Sequence, residues 1–200
     1  GSASKDNYRA ILSKKELDDL IKELKKAKVL AFDTETDSLD FTQANLVGLS
    51  VATDEDNAYY IPVGHDYEGA PKQLDRDEVL KKLKPIIEKT PLIGQHLKFD
   101  RNVLANYDIH LNAIENDTML MSYVYDPTAT RHNLDAMASH YLNVKTTTFE
   151  DVAGKGVKQL TFNQIPLEKA SDYAAEDADI TFRCYSHLKP ALAKTPSLEK

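Results

Sequence analysis

KVLAFDTETD, residues Lys28 to Asp37, is the stretch whose reading decides the fold. Four apolar residues, Val29, Leu30, Ala31 and Phe32, run into two carboxylates, Asp33 and Glu35. A short apolar run of this kind suits a buried β-strand, and in a strand residues i and i+2 leave from the same face. Both acids would then stand side by side at the end of a buried strand, where adjacent anions without a cation are prohibitively costly. A divalent metal is the usual remedy. The same spacing recurs at Glu35/Asp37, Asp54/Asp56, Asp75/Asp77, Glu115/Asp117 and Asp177/Asp179, in a chain with 32 acidic residues. On spacing alone a solvated turn fits equally well, and the rest of the chain must discriminate.

Two hundred residues with 42% hydrophobic content suit one globular domain with a full-sized core. No apolar run approaches the roughly 20 residues that span a bilayer, and no signal-peptide pattern opens the chain, so a soluble protein without a membrane partner is expected. Gly1 to Ser4 (GSAS) reads as an expression scar ahead of a domain over 5–200. Cys184 is the sole cysteine, which excludes an intramolecular disulfide and a zinc-thiolate cluster and fits a reducing, cytoplasmic setting. The formal charge of −7 argues against a strongly basic nucleic-acid clamp. It leaves room for weak, metal-dependent binding, in which carboxylate-held ions meet the phosphates.

Taken in order, Ser13 and Glu16 form a capping-box pair, and Leu17, Leu20, Ile21 and Leu24 recur at helical spacing, predicting an amphipathic helix over Lys14 to Lys26. After the acid-bearing strand come Leu46 to Ala52 (LVGLSVA) and Ala58 to Val63 (AYYIPV), two further strands joined by short polar links as an antiparallel meander. Asp75 and Glu78 open the next helix, in which Pro85 predicts a kink or a division into two shorter helices. Leu92 to Gly94 follows as a short strand parallel to the first, because a helical crossover precedes it. Gln95 to Asp100 leads into a helix through Tyr107. Downstream, Asp117 and Asn133 are expected to cap helices over Thr118 to Tyr125 and Leu134 to Tyr141. Lys145 to Asn163 reads as a loop, and Gly154 and Gly156 within it lack the strand and the lysine of a phosphate loop. Pro166 starts a helical tract to about Ala193, with a break near Ser171. Together these elements predict an α/β domain with a mixed sheet flanked by helices.

Three separated acidic positions then qualify as a site: Asp33 with Glu35, Asp100 after the fourth strand, and Asp177 on the last helix. Tyr173, four residues before Asp177, shares its helix face. Each has a plainer reading: Asp100 between Lys98 and Arg101 as a helix-start acid, Asp177 as part of an acidic surface with Asp172, Glu176 and Asp179, and Tyr173 as core.

AFDTETDSL (Ala31 to Leu39), IGQHLKFDRNVL (Ile93 to Leu104) and YAAEDADIT (Tyr173 to Thr181) resemble, in order and spacing, the three exonuclease motifs of the proofreading domains of bacterial DNA polymerase I. The resemblance covers essentially the whole chain, including RHNLDAMA and TFEDVAGKG, and ends near Lys200, about where that family's polymerase domain begins. It implies an RNase H-like fold, three antiparallel strands plus parallel strands, with the DEDDy set of four metal-binding carboxylates and a tyrosine. These carry over to Asp33, Glu35, Asp100 and Asp177, and to Tyr173. The implied activity is 3'-5' hydrolysis of a DNA end, with two Mg²⁺ or Mn²⁺ ions bound by the acids and a water oriented by Tyr173. Implied partners are a single-stranded DNA 3' end and the polymerase domain of the same parent chain, the protein being a monomer at the nucleoid. Leu39, Arg131 and Phe149 match family positions that contact terminal nucleotides. Gln95 and His96 stand where close relatives carry Gln-Asn, and Phe99 where a tyrosine is frequent, which puts in doubt only substrate contacts near the 3' end. Rival expectations are an RNA 3' exonuclease resembling ribonuclease D, and a non-catalytic module that braces a polymerase.

Overall fold

The computed structural model describes residues 5–111, 116–125 and 133–193. Its centre is β2 (Leu30–Thr36), which carries Asp33 and Glu35. β2 pairs antiparallel with β3 (Leu46–Ala52), and β3 pairs antiparallel with β4 (Ala58–Pro62), the expected meander. On its other side β2 pairs in parallel with β5 (Leu92–Gly94), as the helical crossover requires. Two short strands extend the sheet beyond expectation: β1 (Tyr8–Ala10), parallel to β4, and β6 (Asn116–Asp117), parallel to β5. The spatial order is β1-β4-β3-β2-β5-β6.

Helices cover both faces, which is why β3 is buried at every position and reads as a continuous apolar run. One face carries Leu30, Phe32, Leu49, Val51 and Ile61 and packs on α1 (Lys14–Lys25), α2 (Arg76–Lys89) and α3 (Leu97–Ala105). The opposite face is lined by small residues, Ala31, Ala52 and Ala58, and meets Ala175 and Ala178 of α7 (Leu167–Ala193). Alanine meets alanine at this contact, flanked by Ile93 and Tyr60, which lets the helix lie close on the strand that bears the acids. Beyond α7 lie α4 (Thr118–Tyr125) and α5 (Leu134–Leu142), joined through Met137, Ile180, Cys184 and Leu188.

Several sequence expectations need correction. α2 is one continuous helix, so Pro85 does not divide it in two. Pro85 and Lys81, whose carbonyl loses its donor, are both solvent-exposed, so water can take the bond. α7 is likewise unbroken: Ser171 is buried among alanines that favour the helix. The segment 145–163 is not all loop. It contains α6 (Phe149–Ala153), started by a capping box between Thr148 and Asp151, and two 3-10 turns at Gly156–Lys158 and Phe162–Gln164. Glu16 accepts from the Leu12 amide (3.3 Å), while Ser13 caps α1 as expected. The Asp117 carboxylate accepts from the amides of His96 and Leu97 (3.1 and 2.7 Å), and so caps the start of α3.

Candidate active site

The strand register puts Asp33 opposite Ser50 and Glu35 opposite Gly48, so both acids leave β2 on the face covered by α7. Directly after Glu35 the ladder skips Val47, a bulge that ends the regular pairing at the acids. From the facing helix Asp177 points back. One carboxylate oxygen from each of Asp33, Glu35 and Asp177 lies within 4.8 Å of the others. Asp100 arrives from the opposite layer, on α3, and is almost fully buried at 2% exposure. Its Oδ1 accepts from both the amide and the hydroxyl of Thr34, at 3.0 and 2.5 Å, which locks it to the residue between the two strand acids.

Electrostatics set this cluster apart from ordinary surface acids. Burial, and then the charge of Asp177, push Asp33 up to about 8, against a bond to Glu35 that lowers it. Glu35 is raised by burial and by Asp33, Asp100 by burial and by Asp33, and Asp177 by burial with Asp135 and Glu176 adding. Among the described residues no lysine or arginine forms an ion pair with any of the four. The Ser50 hydroxyl, fully buried and opposite Asp33, has no hydrogen-bond partner among the described residues. All-oxygen donors with uncompensated negative charge suit a hard divalent cation such as Mg²⁺ or Mn²⁺, so the residues present fit a metal centre.

Tyr173 lies on α7 one turn before Asp177. Its ring meets the edges of Phe149 and Phe162, with centroids 6.1 and 6.0 Å away. Burial, then the charges of Asp177, Glu35 and Asp33, hold its phenol far above the usual range, so the hydroxyl stays neutral. A cleft of about 520 Å³ opens beside it, lined by Glu35, Leu39, Phe99, Phe149, Leu160 and Tyr173 among others. Leu39 is not core: it is 96% exposed at the cleft mouth. Phe149 is half-buried on the cleft wall. Gln95 and His96 sit instead at the start of α3, where Gln95 accepts from the Thr118 hydroxyl (2.6 Å) and His96 is an exposed, left-handed N-cap. Neither lines this cleft. Arg131 lies outside the described residues.

Thr34, Ser50, Leu160 and Phe162 also belong to this neighbourhood and were not singled out from sequence. Thr34 carried a local signal, since it stands between the two strand acids, but its bond to Asp100 joins residues 66 apart.

A family model described as 3'-5' exonuclease matches residues 8–193. DNA polymerase I of Pseudomonas aeruginosa is 50% identical over 198 residues, 97% of this chain and 22% of the relative. This chain thus spans about a fifth of that relative's length. Among solved structures, the "POL domain of Pol1 from M. smegmatis complex with DNA primer-template and dNTP" superposes with a TM-score of 0.69 at 17% identity, over 95% of this chain and 28% of that one. Brucella melitensis NrnC with bound Mg²⁺ superposes with a TM-score of 0.58 at 21% identity, over 98% and 82%. These likenesses bear out the RNase H-like fold. From its first strand to the end of its last helix, the chain belongs to the 3'-5' exonuclease family.

Proposed function

We propose that this chain is the 3'-5' exonuclease domain of a bacterial DNA polymerase I and hydrolyses the last phosphodiester of a single-stranded or frayed DNA 3' end, as a proofreader in cytoplasmic replication and repair. The observation that carries this reading is the convergence of Asp33, Glu35 and Asp177 within 4.8 Å, unpaired by any cation among the described residues, beside a cleft walled by Leu39, Phe149 and Tyr173. The match to DNA polymerase I relatives supports DNA as substrate and a polymerase domain as the partner in the same chain.

Asp33, Glu35 and Asp177, with Asp100 beside Asp33, would hold two divalent ions, Mg²⁺ or Mn²⁺, which when bound supply an acidified water and neutralise charge on the phosphate. The neutral Tyr173 phenol donates a hydrogen bond to the attacking water and aims it, with Glu35 accepting the proton that the water gives up. The new bond joins the water oxygen to phosphorus as the bond from phosphorus to the 3' oxygen breaks, releasing a 5'-mononucleotide and a shortened strand with a free 3' hydroxyl. Leu39, exposed at the mouth, and the Phe149 ring hold the terminal bases apart by apolar contact. Such contact is indifferent to sequence, as removal of any misincorporated base requires. The cleft falls in the ~300–1,000 Å³ range of small-ligand sites, which suits a strand end better than a duplex.

The test is a gel assay with single-stranded, 3'-mismatched and blunt duplex DNA, and an RNA strand of the same sequence, with Mg²⁺ or with EDTA. Single-stranded and mismatched DNA are expected to be shortened only with metal, and faster than blunt duplex or RNA. Equal rates on blunt duplex would defeat the proofreading reading. Faster RNA trimming would transfer the activity to the ribonuclease D-like rival, and a metal titration without binding would leave only a bracing module.

A further inference from the structure

Three consecutive residues after β4 each hold a different part of the segment that leads into α7. The His65 ring stands edge-on to Phe162, with centroids 5.8 Å apart at 80°, and its Nε2 lies 2.7 Å from the Tyr60 hydroxyl. The Asp66 amide donates to the Asn163 carbonyl (3.2 Å), and its carboxylate accepts from the Asn163 side chain (2.7 Å). The Tyr67 hydroxyl accepts the amide hydrogen of Leu167, the first residue of α7, at 2.9 Å. Gln73 in turn clamps the His65 backbone, accepting from its N–H and donating to its carbonyl, each at 2.8 Å.

This staple immobilises Phe162. Its ring lies parallel to that of Tyr60, 6.2 Å away at 6°, and meets Tyr173 at 74°. Tyr60 is itself fully buried, and its hydroxyl occupies the space over Gly48, the ladder partner of Glu35. A chain of rings therefore runs from the sheet beneath Glu35 to the phenol beside Asp177. Among the described residues no hydrogen bond holds the Tyr173 hydroxyl, so its aim is set by packing, in which the rings of Phe149 and Phe162 take part. Of the two rings that touch it, Phe149 is half-exposed on the cleft wall, while Phe162 is buried.

We propose that Phe162, held by the staple His65 to Tyr67, is a positioning residue that aims the Tyr173 hydroxyl at the attacking water. The inference rests on the water-orienting role of Tyr173. A catalytic group displaced by about 1 Å loses on the order of a hundredfold in rate, and a loosened ring should lose less.

The experiment is a kinetic cycle on the 200-residue chain, using a single-stranded DNA oligonucleotide and Mg²⁺, with Phe162→Leu, Tyr173→Phe and the double variant. Phe162→Leu should lower kcat about tenfold with KM within about twofold, and should cost little more once Tyr173→Phe is present, because the group being aimed is gone. Tyr60→Phe, which removes only the hydroxyl bonded to His65, should give the same non-additivity with a smaller loss, and it replaces Phe162→Leu if that variant does not fold. Equal losses in both backgrounds, with Tyr173→Phe slow by itself, overturn the positioning role and leave the Tyr173 reading intact. A raised KM with unchanged kcat overturns it in favour of a substrate contact. If Tyr173→Phe keeps full kcat, the reading of Tyr173 falls and this inference with it.

Discussion

Replacing Asp33 by asparagine should make the metal-free protein more stable while destroying its activity. Burial and the charge of Asp177 lift the Asp33 carboxyl from 3.8 to about 8 in the folded state. The native state therefore binds more protons than the unfolded chain between those two values. Because unfolding free energy then falls as pH rises, the cost of ionising Asp33 is absent near pH 4, grows through the window, and is complete above pH 8. A shift of about four units corresponds to a ceiling of about 5 kcal/mol at 1.36 kcal/mol per unit. Asp33 is partly open to solvent and shares its repulsion with Glu35 and Asp177, so half of the ceiling, about 2–3 kcal/mol, is the expected gain. For a domain of this size that is roughly 4–12 °C in Tm. Thermal denaturation in EDTA at pH 4.5 and pH 8.5 reads the effect directly. Asp33→Asn should match the wild type at the lower pH and exceed it at the higher, and Mg²⁺ should raise the wild-type Tm far more than that of the variant. An equal or lower Tm for Asp33→Asn at pH 8.5 in EDTA would refute the view that uncompensated charge is stored in this cluster.

Further expectations address single contacts. Tyr173→Phe should slow hydrolysis by about 10²-fold or more, the usual scale for a positioned proton-bridging group, with DNA affinity kept; lost affinity at full turnover in a binding and rate comparison would contradict its role. Thr34→Val removes the hydroxyl bond to Asp100 and leaves the amide bond, so it should cost about 1 kcal/mol in urea denaturation and weaken Mg²⁺ binding by calorimetry; unchanged values for both would show that Thr34 does not hold Asp100. Gly48→Ala would put a methyl 2.3 Å from the Tyr60 ring, and should destabilise by about 1–3 kcal/mol, with a loss below about 0.5 kcal/mol showing that Tyr60 moves aside freely.

What was legible in the sequence follows the range of the interactions concerned. β2, β3 and β4 were readable because each is long enough to show its apolar run between polar links, and α1 because Ser13 caps it two residues after Ile11 enters the core. β1 was not, since three residues carry no pattern and its pairing with β4 depends on chain 50 residues away. α6 was missed although Thr148 and Asp151 spell a capping box, because the signature usually ends in glutamate or glutamine. Within the site, Asp33 with Glu35 and Tyr173 with Asp177 were local pairs, at strand and helix spacing. Asp100 stood out by its place after the fourth strand and the resemblance gave it a metal-binding role, but its bonds from Thr34 across two layers were out of local reach. Asp117 shows the same limit: its position before α4 was plain, while the bonds its carboxylate accepts from the start of α3 join residues about 20 apart.

Asp177 and Asp179 repeat on α7 the two-residue spacing of Asp33 and Glu35, and the structure treats the two helix acids oppositely. Asp179 is fully buried but surrounded by donors: the Tyr8 hydroxyl at 2.6 Å, the Asp56 amide at 3.0 Å and the Arg183 guanidinium at 3.0 Å. Those bonds tie β1, the β3–β4 turn and α7 together, and with its charge compensated Asp179 rises only to about 6. Asp177 has no such cation among the described residues and instead faces Asp33 and Glu35. A buried carboxylate that already has its donors stabilises the fold, whereas one that has only other carboxylates waits for a cation from outside. Only one term of this contrast, Arg183 one turn after Asp179, can be seen locally. Tyr8 lies 171 residues away, and it is the folded arrangement of donors, more than the spacing of acids, that separates the site from the scaffold.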